Sequence, residues 1–279
     1  MRHLLGFCLL TFFHLTSMGQ YWFGPKFGVS YIDHVYQEST YEKDSFNVPH
    51  DINFQTGVVF EYTATGMYSV YGELMYERIG RTVKDLETDG QREFSKMTNH
   101  FITIPIMLRV TLGSVPFHYY VNGGPRLSYW IAGKGTHQLD FFEEFGPRDE
   151  DGNPVPIDYK ITFNSDKSSP GNFNTGYVSK PNRLQFGLSL GAGMIFDLAS
   201  GGRLQLDVRM NWVHSNMATN SGNDTNLVHG VNTDPDFYRE NFEYFHNIGS
   251  VSVAYMFGYN SQLRRKGKST ASESNKKKK

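Results

Sequence analysis

The stretch LQFGLSLGAGMIFDLASGGRLQLDVRMNW, residues 184–212, decides the fold. Up to Leu198 every second position but one is large and apolar: Leu184, Phe186, Leu188, Leu190, Met194, Phe196 and Leu198, with Ala192 completing the row. Between them stand Gln185, Gly187, Ser189, Gly191, Gly193 and Asp197. After a short link at 199–202 the alternation resumes, with Leu204, Leu206, Val208, Met210 and Trp212 set against Arg203, Gln205, Asp207, Arg209 and Asn211. A period of two puts the two sets on opposite faces of extended strands, so this is an antiparallel hairpin with one apolar wall. A soluble sandwich turns that wall inward and leaves lysine and glutamate in water, whereas a barrel in lipid turns it outward. The other wall here is rich in glycine and serine and carries charges of both signs, which suits a crowded lumen.

The same alternation recurs on both sides. Phe27, Val29 and Tyr31 alternate with Gly28 and Ser30, and Phe54, Val58, Phe60 and Tyr62 with Gln55, Gly57, Val59 and Glu61. Val70, Leu74 and Tyr76 oppose Tyr71, Glu73, Met75 and Glu77; Ile102, Ile104, Ile106, Leu108 and Val110 oppose Thr103, Pro105, Met107 and Arg109. Phe117, Tyr119 and Val121 run into Gly123-Gly124-Pro125, where a bulge or bend is expected before 127–131, a stretch whose faces are ambiguous. Val251, Val253, Tyr255, Phe257 and Tyr259 alternate with Ser252, Ala254, Met256 and Gly258. Links at 63–66, 113–115 and 199–202 are short, and those at 36–51, 81–99, 133–183 and 215–241 are long. Short turns alternating with long loops mark an outer-membrane barrel with periplasmic turns and extracellular loops.

The expected fold is therefore all-β, an antiparallel up-and-down transmembrane barrel of eight strands, each of about 9 to 11 residues. Both termini lie on the periplasmic side. Ile157, Tyr159, Ile161 and Phe163 alternate with Asp158, Lys160 and Thr162, and pairing with 138–142 would extend the barrel or make ten strands. Glu73, Glu77, Arg109, Arg203, Asp207 and Arg209 fall on the polar wall and are expected to form a lumen charge network. Tyr62, Tyr76, Trp212, Tyr255 and Tyr259 fall on the apolar wall and are candidates for interfacial anchors.

Met1-Arg2-His3, an apolar run from Leu4 to Phe13, and Ser17-Met18-Gly19 read as a signal peptide over residues 1–19, cleaved before Gln20. The sole cysteine, Cys8, lies within it, so the mature chain has no thiol, disulfide or lipid anchor. Residues 20–260 form the barrel domain and 261–279 a basic tail. The tail carries eight basic residues against Glu273 alone, net +7, while 20–260 carry 18 basic and 27 acidic residues, net −9. It is expected to be a disordered solubilising tail, or to bind an acidic periplasmic partner or anionic headgroups. The whole chain has 27 Lys and Arg against 28 Asp and Glu, a balance that argues against nucleic-acid binding.

Gly24-Pro25-Lys26-Phe27-Gly28-Val29, Glu73-Leu74-Met75-Tyr76, Ile104-Pro105-Ile106, Val121-Asn122-Gly123-Gly124-Pro125 and the run from Gly187 to Gly193 together resemble the PorT-like outer-membrane β-barrel family of Bacteroidota. The likeness covers most of residues 22–259. It implies an integral outer-membrane protein, and for some members of that family a part in protein secretion. The expected partners are outer-membrane lipid, the barrel-assembly machinery, which would recognise the aromatic-rich last strand, and a periplasmic or secretion-system protein.

Three further stretches carry weaker chemistry. Val213-His214-Ser215-Asn216 resembles the rim of lipid A deacylase barrels, but those space His and Ser to share a strand face, and here the two are adjacent. Asp149-Glu150-Asp151-Gly152-Asn153 offers oxygen ligands around a glycine, without the full loop that Ca²⁺ sites use. Phe141, Phe142 and Phe145 with Glu143 and Glu144 form an aromatic and acidic loop segment suited to a partner or to packing on the rim. No catalytic residue, metal site or cofactor is predicted. The main functional expectation is a structural or interaction role. Transport of small solutes, lipid hydrolysis and a soluble periplasmic ligand-binding barrel are the alternatives.

Overall fold

Leu108 is 72% exposed and its neighbour Arg109 is 1% exposed; Phe27 is 63% exposed and its neighbour Lys26 is 1% exposed. Such an inside-out pattern is stable only where the exterior is hydrocarbon, and a computed structural model of the chain gives it its architecture. The structure describes residues 20–36, 46–47, 51–65, 67–85, 93–137, 149–152, 155–163, 175–178, 180–218, 227–229, 239–240 and 242–260. The expected signal segment at 1–19, the aromatic loop residues 141–145 and the basic tail at 261–279 lie outside these.

The strands in chain order are β1 (Gln20–Tyr36), β2 (Phe46–Asn47), β3 (Asp51–Thr65), β4 (Tyr68–Asp85), β5 (Glu93–Ser114), β6 (Phe117–His137), β7 (Ile157–Thr162), β8 (Thr175–Val178), β9 (Leu184–Asp197), β10 (Gly202–Val213), β11 (Leu227–His229), β12 (Arg239–Glu240) and β13 (Tyr244–Asn260). Eight of them close a ring, β1–β3–β4–β5–β6–β9–β10–β13 and back to β1, and every pair in it is antiparallel. Closure leaves no unpaired edge for lipid to meet. From Tyr259 the register passes through Tyr21, Tyr62, Val70, Leu108, Gly123, Leu190 and Met210, and returns to β13 at Gly249, ten residues from its start. A stagger of this size goes with a strand tilt of roughly 40° and an interior just wide enough for side chains.

The turns β3–β4, β5–β6 and β9–β10 are the short links expected, and the first and last strands pair at that same end, Gln20 with Asn260. The strands are longer than the 9 to 11 residues expected: β10 has 12 and β5 has 22. Much of the expected long loop at 81–99 is strand, because β4 and β5 stay paired from Tyr68 to Lys84. The alternation at 157–162 forms β7, which pairs with the loop-side end of β6 at 134–137, and β8 joins β7 in parallel. These are additions beside an eight-stranded ring.

Gly123-Gly124-Pro125 does not form the expected bulge. It keeps one register with both β5 and β9, and the break in β5–β6 pairing falls at His100/Phe101. Gly124 is needed for close approach, since a Cβ there would strike the Ile106 carbonyl. In 126–131, Arg126, Ser128 and Trp130 face inward, with Leu127, Tyr129 and Ile131 outward.

Candidate functional site

The interior is the candidate site, and its middle is a network of charges. Lys26 on β1 places its Nζ 2.6 Å from Glu73 Oε1 and 3.0 Å from Asp207 Oδ2. Arg209 grips Glu73 with both terminal nitrogens, at 2.7 and 2.9 Å, and reaches Asp207 Oδ2 at 2.7 Å. Two-pronged contact of this kind fixes direction as well as distance. Arg109 donates to Glu61 Oε2 at 2.9 Å and to Gln205 Oε1 at 3.2 Å. Its guanidinium lies between two rings, 3.7 Å from the centre of Tyr71 and 3.9 Å from that of Tyr120.

Hydrogen bonds tie these groups into one body. Tyr120 donates to Asp207 Oδ1 at 2.6 Å, Gln205 Nε2 donates to the Tyr120 hydroxyl at 2.8 Å, and Ser69 donates to Glu61 Oε1 at 2.6 Å. Nearer the loops Arg126 pairs with Glu77, which also accepts from Thr103 Oγ1 at 3.1 Å. Lys26, Arg109, Arg126 and Arg209 thus meet Glu61, Glu73, Glu77 and Asp207, equal numbers of each sign, all buried. Buried charge is tolerated only when so paired and hydrogen-bonded.

Six strands supply these side chains, and β9 and β13 make room for them with Gly191, Gly193, Ser250 and Ser252. At Gly193 a Cβ would meet the Tyr120 hydroxyl and the Leu206 carbonyl. The expected network residues Glu73, Asp207 and Arg209 meet directly. Arg109 joins them through Gln205 and Tyr120, whereas Glu77 belongs to a separate pair with Arg126. Arg203 stands apart and corrects the expectation: at the short-turn end it holds Asp197 at 2.7 Å beside His118 and stacks 3.8 Å over Trp22. Residue 203 is the second position of β10, so its side chain reaches the mouth of the barrel and not its centre. Lys26, Glu61 and Arg126 were missed. Lys26 and Glu61 lie in alternating segments on the polar face, but Arg126 lies in the ambiguous stretch.

Toward the loops the interior changes character. Ile32, Ile79, Met97, Phe101, Trp130, Tyr159, Phe242 and Tyr244 are among the buried residues of one apolar cluster. Trp130 stacks with Phe101 and Phe242 at 6.2 and 5.8 Å between centroids, and Phe163 meets it edge-on at 4.7 Å. Burial raises the Tyr159 hydroxyl above its ordinary range, with the Arg81 charge opposing.

The five aromatic anchor candidates are outward and partly or fully exposed. Tyr62, Tyr255 and Tyr259 sit toward the short-turn end, with Tyr62 and Tyr21 rings 5.1 Å apart. Tyr76 and Trp212 sit toward the loops, and Tyr76 is 2.6 Å from His100 Nδ1. At the deacylase-like stretch, Ser215 Oγ accepts the Phe186 amide at 3.0 Å, and His214 is exposed. Among the described residues no hydrogen bond joins the two. In the acidic turn, Asp149 Oδ1 accepts the Asp151 amide at 3.0 Å and its carbonyl accepts the Gly152 amide at 3.1 Å. Among the described residues no group of acidic or histidine side chains is gathered to hold a metal.

A closed antiparallel ring, apolar outside and charged inside, defines an integral membrane barrel. Residues 16–218 match the family model of the outer membrane protein beta-barrel domain, and the chain belongs to that family, an integral protein of the outer membrane. No curated protein sequence matches the chain. Among solved structures it is similar to the outer membrane protein OprG from Pseudomonas aeruginosa, at 10% identity over 88% of this chain and 97% of that one, with a TM-score of 0.46. It is also similar to Neisserial surface protein A, at 9% identity over 84% and 96%, TM-score 0.37. A third similarity is to the outer membrane protease OmpT from Escherichia coli, at 9% identity over 88% and 97%, TM-score 0.39.

Proposed function

We propose that this protein is a closed outer-membrane barrel with a structural or interaction role, working through its loop side and its ends and not through a solute path. The observation that carries this is the filled interior: four cations and four carboxylates bonded across the lumen, beneath a buried aromatic cluster. An eight-stranded ring has no spare width for a channel beside such side chains. In this proposal the network of Lys26, Glu61, Glu73, Arg109, Asp207 and Arg209 holds the strands together. Tyr62, Tyr76, Trp212, Tyr255 and Tyr259 anchor the barrel at the two headgroup levels. A link to protein secretion is the finer part of the proposal and is supported by the PorT-like sequence motifs; crosslinking from the 261–279 tail to a secretion-system protein in intact cells would test it.

The direct test is recording from the purified, folded barrel in planar bilayers. The expected outcome is a quiet membrane. Uniform single-channel steps that vanish on heating the protein would replace this proposal with small-solute transport. Hydrolysis is not favoured, because His214 and Ser215 are adjacent in the chain and no hydrogen bond joins them among the described residues, Ser215 Oγ instead accepting the Phe186 amide.

A further inference from the structure

A second charged feature lies on the outer wall. On β5 the outward apolar residues run from Leu112 to Ile102, and ten residues at about 3.3 Å each, tilted by roughly 40°, span about 25 Å, the height of the apolar band of such barrels. Beyond that band, on the loop side, the outward side chains turn basic. Lys96, Lys134 and Lys160, on β5, β6 and β7, line an open groove of about 580 Å³ together with Thr98, Thr136 and Asp158.

The register crowds the three ammonium groups. Lys134 is paired with Lys160 on one side and with Thr98 on the other, and Lys96 is paired with Thr136. Like charges directly opposite across a ladder are destabilising. Among the described residues no ion pair relieves them, and the carboxylate in the groove, Asp158, accepts a hydrogen bond from Thr136 Oγ1 at 2.7 Å. All three lysines are exposed. Arg78 continues the basic strip along the top of the band, lying 5.9 Å over the Phe54 ring.

We propose that this groove binds the phosphate of a phosphorylated glycolipid in the leaflet on the loop side, its acyl chains lying on the band formed by Ile102, Ile104, Tyr129 and Ile131. Charge chooses an anion, and position chooses a lipid: the groove opens on the membrane-facing wall directly above hydrocarbon, at the depth of headgroups. The inference rests on the barrel's membrane location and on its loops facing the outer leaflet, and it is independent of whether the lumen conducts.

The test uses the full folded chain in detergent and native mass spectrometry with bis-phosphorylated lipid A, its dephosphorylated counterpart, and phosphatidylcholine as probes. Wild type should retain bis-phosphorylated lipid A, and the triple variant Lys96→Gln, Lys134→Gln, Lys160→Gln should lose affinity on the order of a hundredfold, about fivefold for each lysine. Asp158→Asn should bind severalfold more tightly. Lys160→Gln alone lies on β7, outside the ring, and keeps the test alive if the triple variant folds poorly. Equal retention by wild type and both lysine variants would overturn the proposal, as would equal retention of the dephosphorylated lipid. Displacement by millimolar inorganic phosphate would also overturn it, by reassigning the groove to a soluble anion. A heat-modifiable band and quiet bilayers from the same variants separate this outcome from failure of the closed-barrel reading.

Discussion

Halfway along the barrel the interior is held by charges, and toward the loops it is held by rings. The mid-lumen joins Lys26, Glu73, Asp207, Arg209, Glu61 and Arg109 into pairs that each depend on the others, because every member is desolvated. The loop-side cluster around Trp130 and Phe101 gains from each contact separately. The two regions should therefore fail differently. Loss of one charge strands its partners in a dry space, whereas loss of one ring removes roughly its own packing.

Glu73→Ala is the sharpest way to break the first region. It leaves the buried Lys26 and Arg209 with Asp207 as the one carboxylate they still share, and a loss of about 3–5 kcal/mol is expected. Urea unfolding in lipid vesicles would measure it, and a loss below about 1 kcal/mol would mean that the network is not cooperative. Trp130→Ala should cost about 3 kcal/mol. That loss should appear first as protease sensitivity of the loop-side segments, with the ring still heat-modifiable on gels; simultaneous collapse of both would erase the contrast between the regions.

Gly193→Ala probes the narrow wall of the mid-lumen. The added methyl must displace both the Leu206 carbonyl and the Tyr120 ring, and about 1–3 kcal/mol is expected from overpacking, read as a lower midpoint with an unchanged slope in the same unfolding assay. Arg203→Gln, at the partly open mouth, should change stability by less than about 1 kcal/mol, since its pair with Asp197 is reached by solvent. An Arg203→Gln loss as large as that of Glu73→Ala would place the mouth in the network after all. Ser215→Ala should cost about 1 kcal/mol through the lost backbone bond. No lipid A hydrolysis should be detectable before or after that change, and its appearance in wild type would revive the hydrolase alternative.

The eight-strand count, the outward apolar face and the short turns were legible because each is local. Alternation with period two in 184–212 names both faces at once, and a lipid-facing wall tolerates few interruptions. The inward location of Glu73, Asp207 and Arg209 follows from parity alone. Arg203 shares that parity and still sits elsewhere, because parity gives the face and not the height along the axis. Glu77 illustrates the same limit, since its partner Arg126 lies in a stretch whose parity the glycines and proline obscured. The expected bulge at Gly123-Gly124-Pro125 failed for a related reason: those residues serve close backbone approach, which a sequence pattern does not distinguish from a break in pairing. The loop at 81–99 looked long because its alternation involves buried polar groups, yet much of it is strand that runs on beyond the apolar band, and within 133–183 the described strands are the end of β6 with β7 and β8.

By itself, the sequence determined that this chain lines a barrel with small and charged residues and coats it with apolar ones, since strand periodicity fixes the side of every residue it reaches. Only the tertiary structure decided which charges meet. Partners such as Arg209 and Glu73 are 136 residues apart, and their encounter depends on the stagger accumulated around the closed ring. The same stagger brings Lys96, Lys134 and Lys160 side by side at one height on three strands, a juxtaposition that no local pattern records.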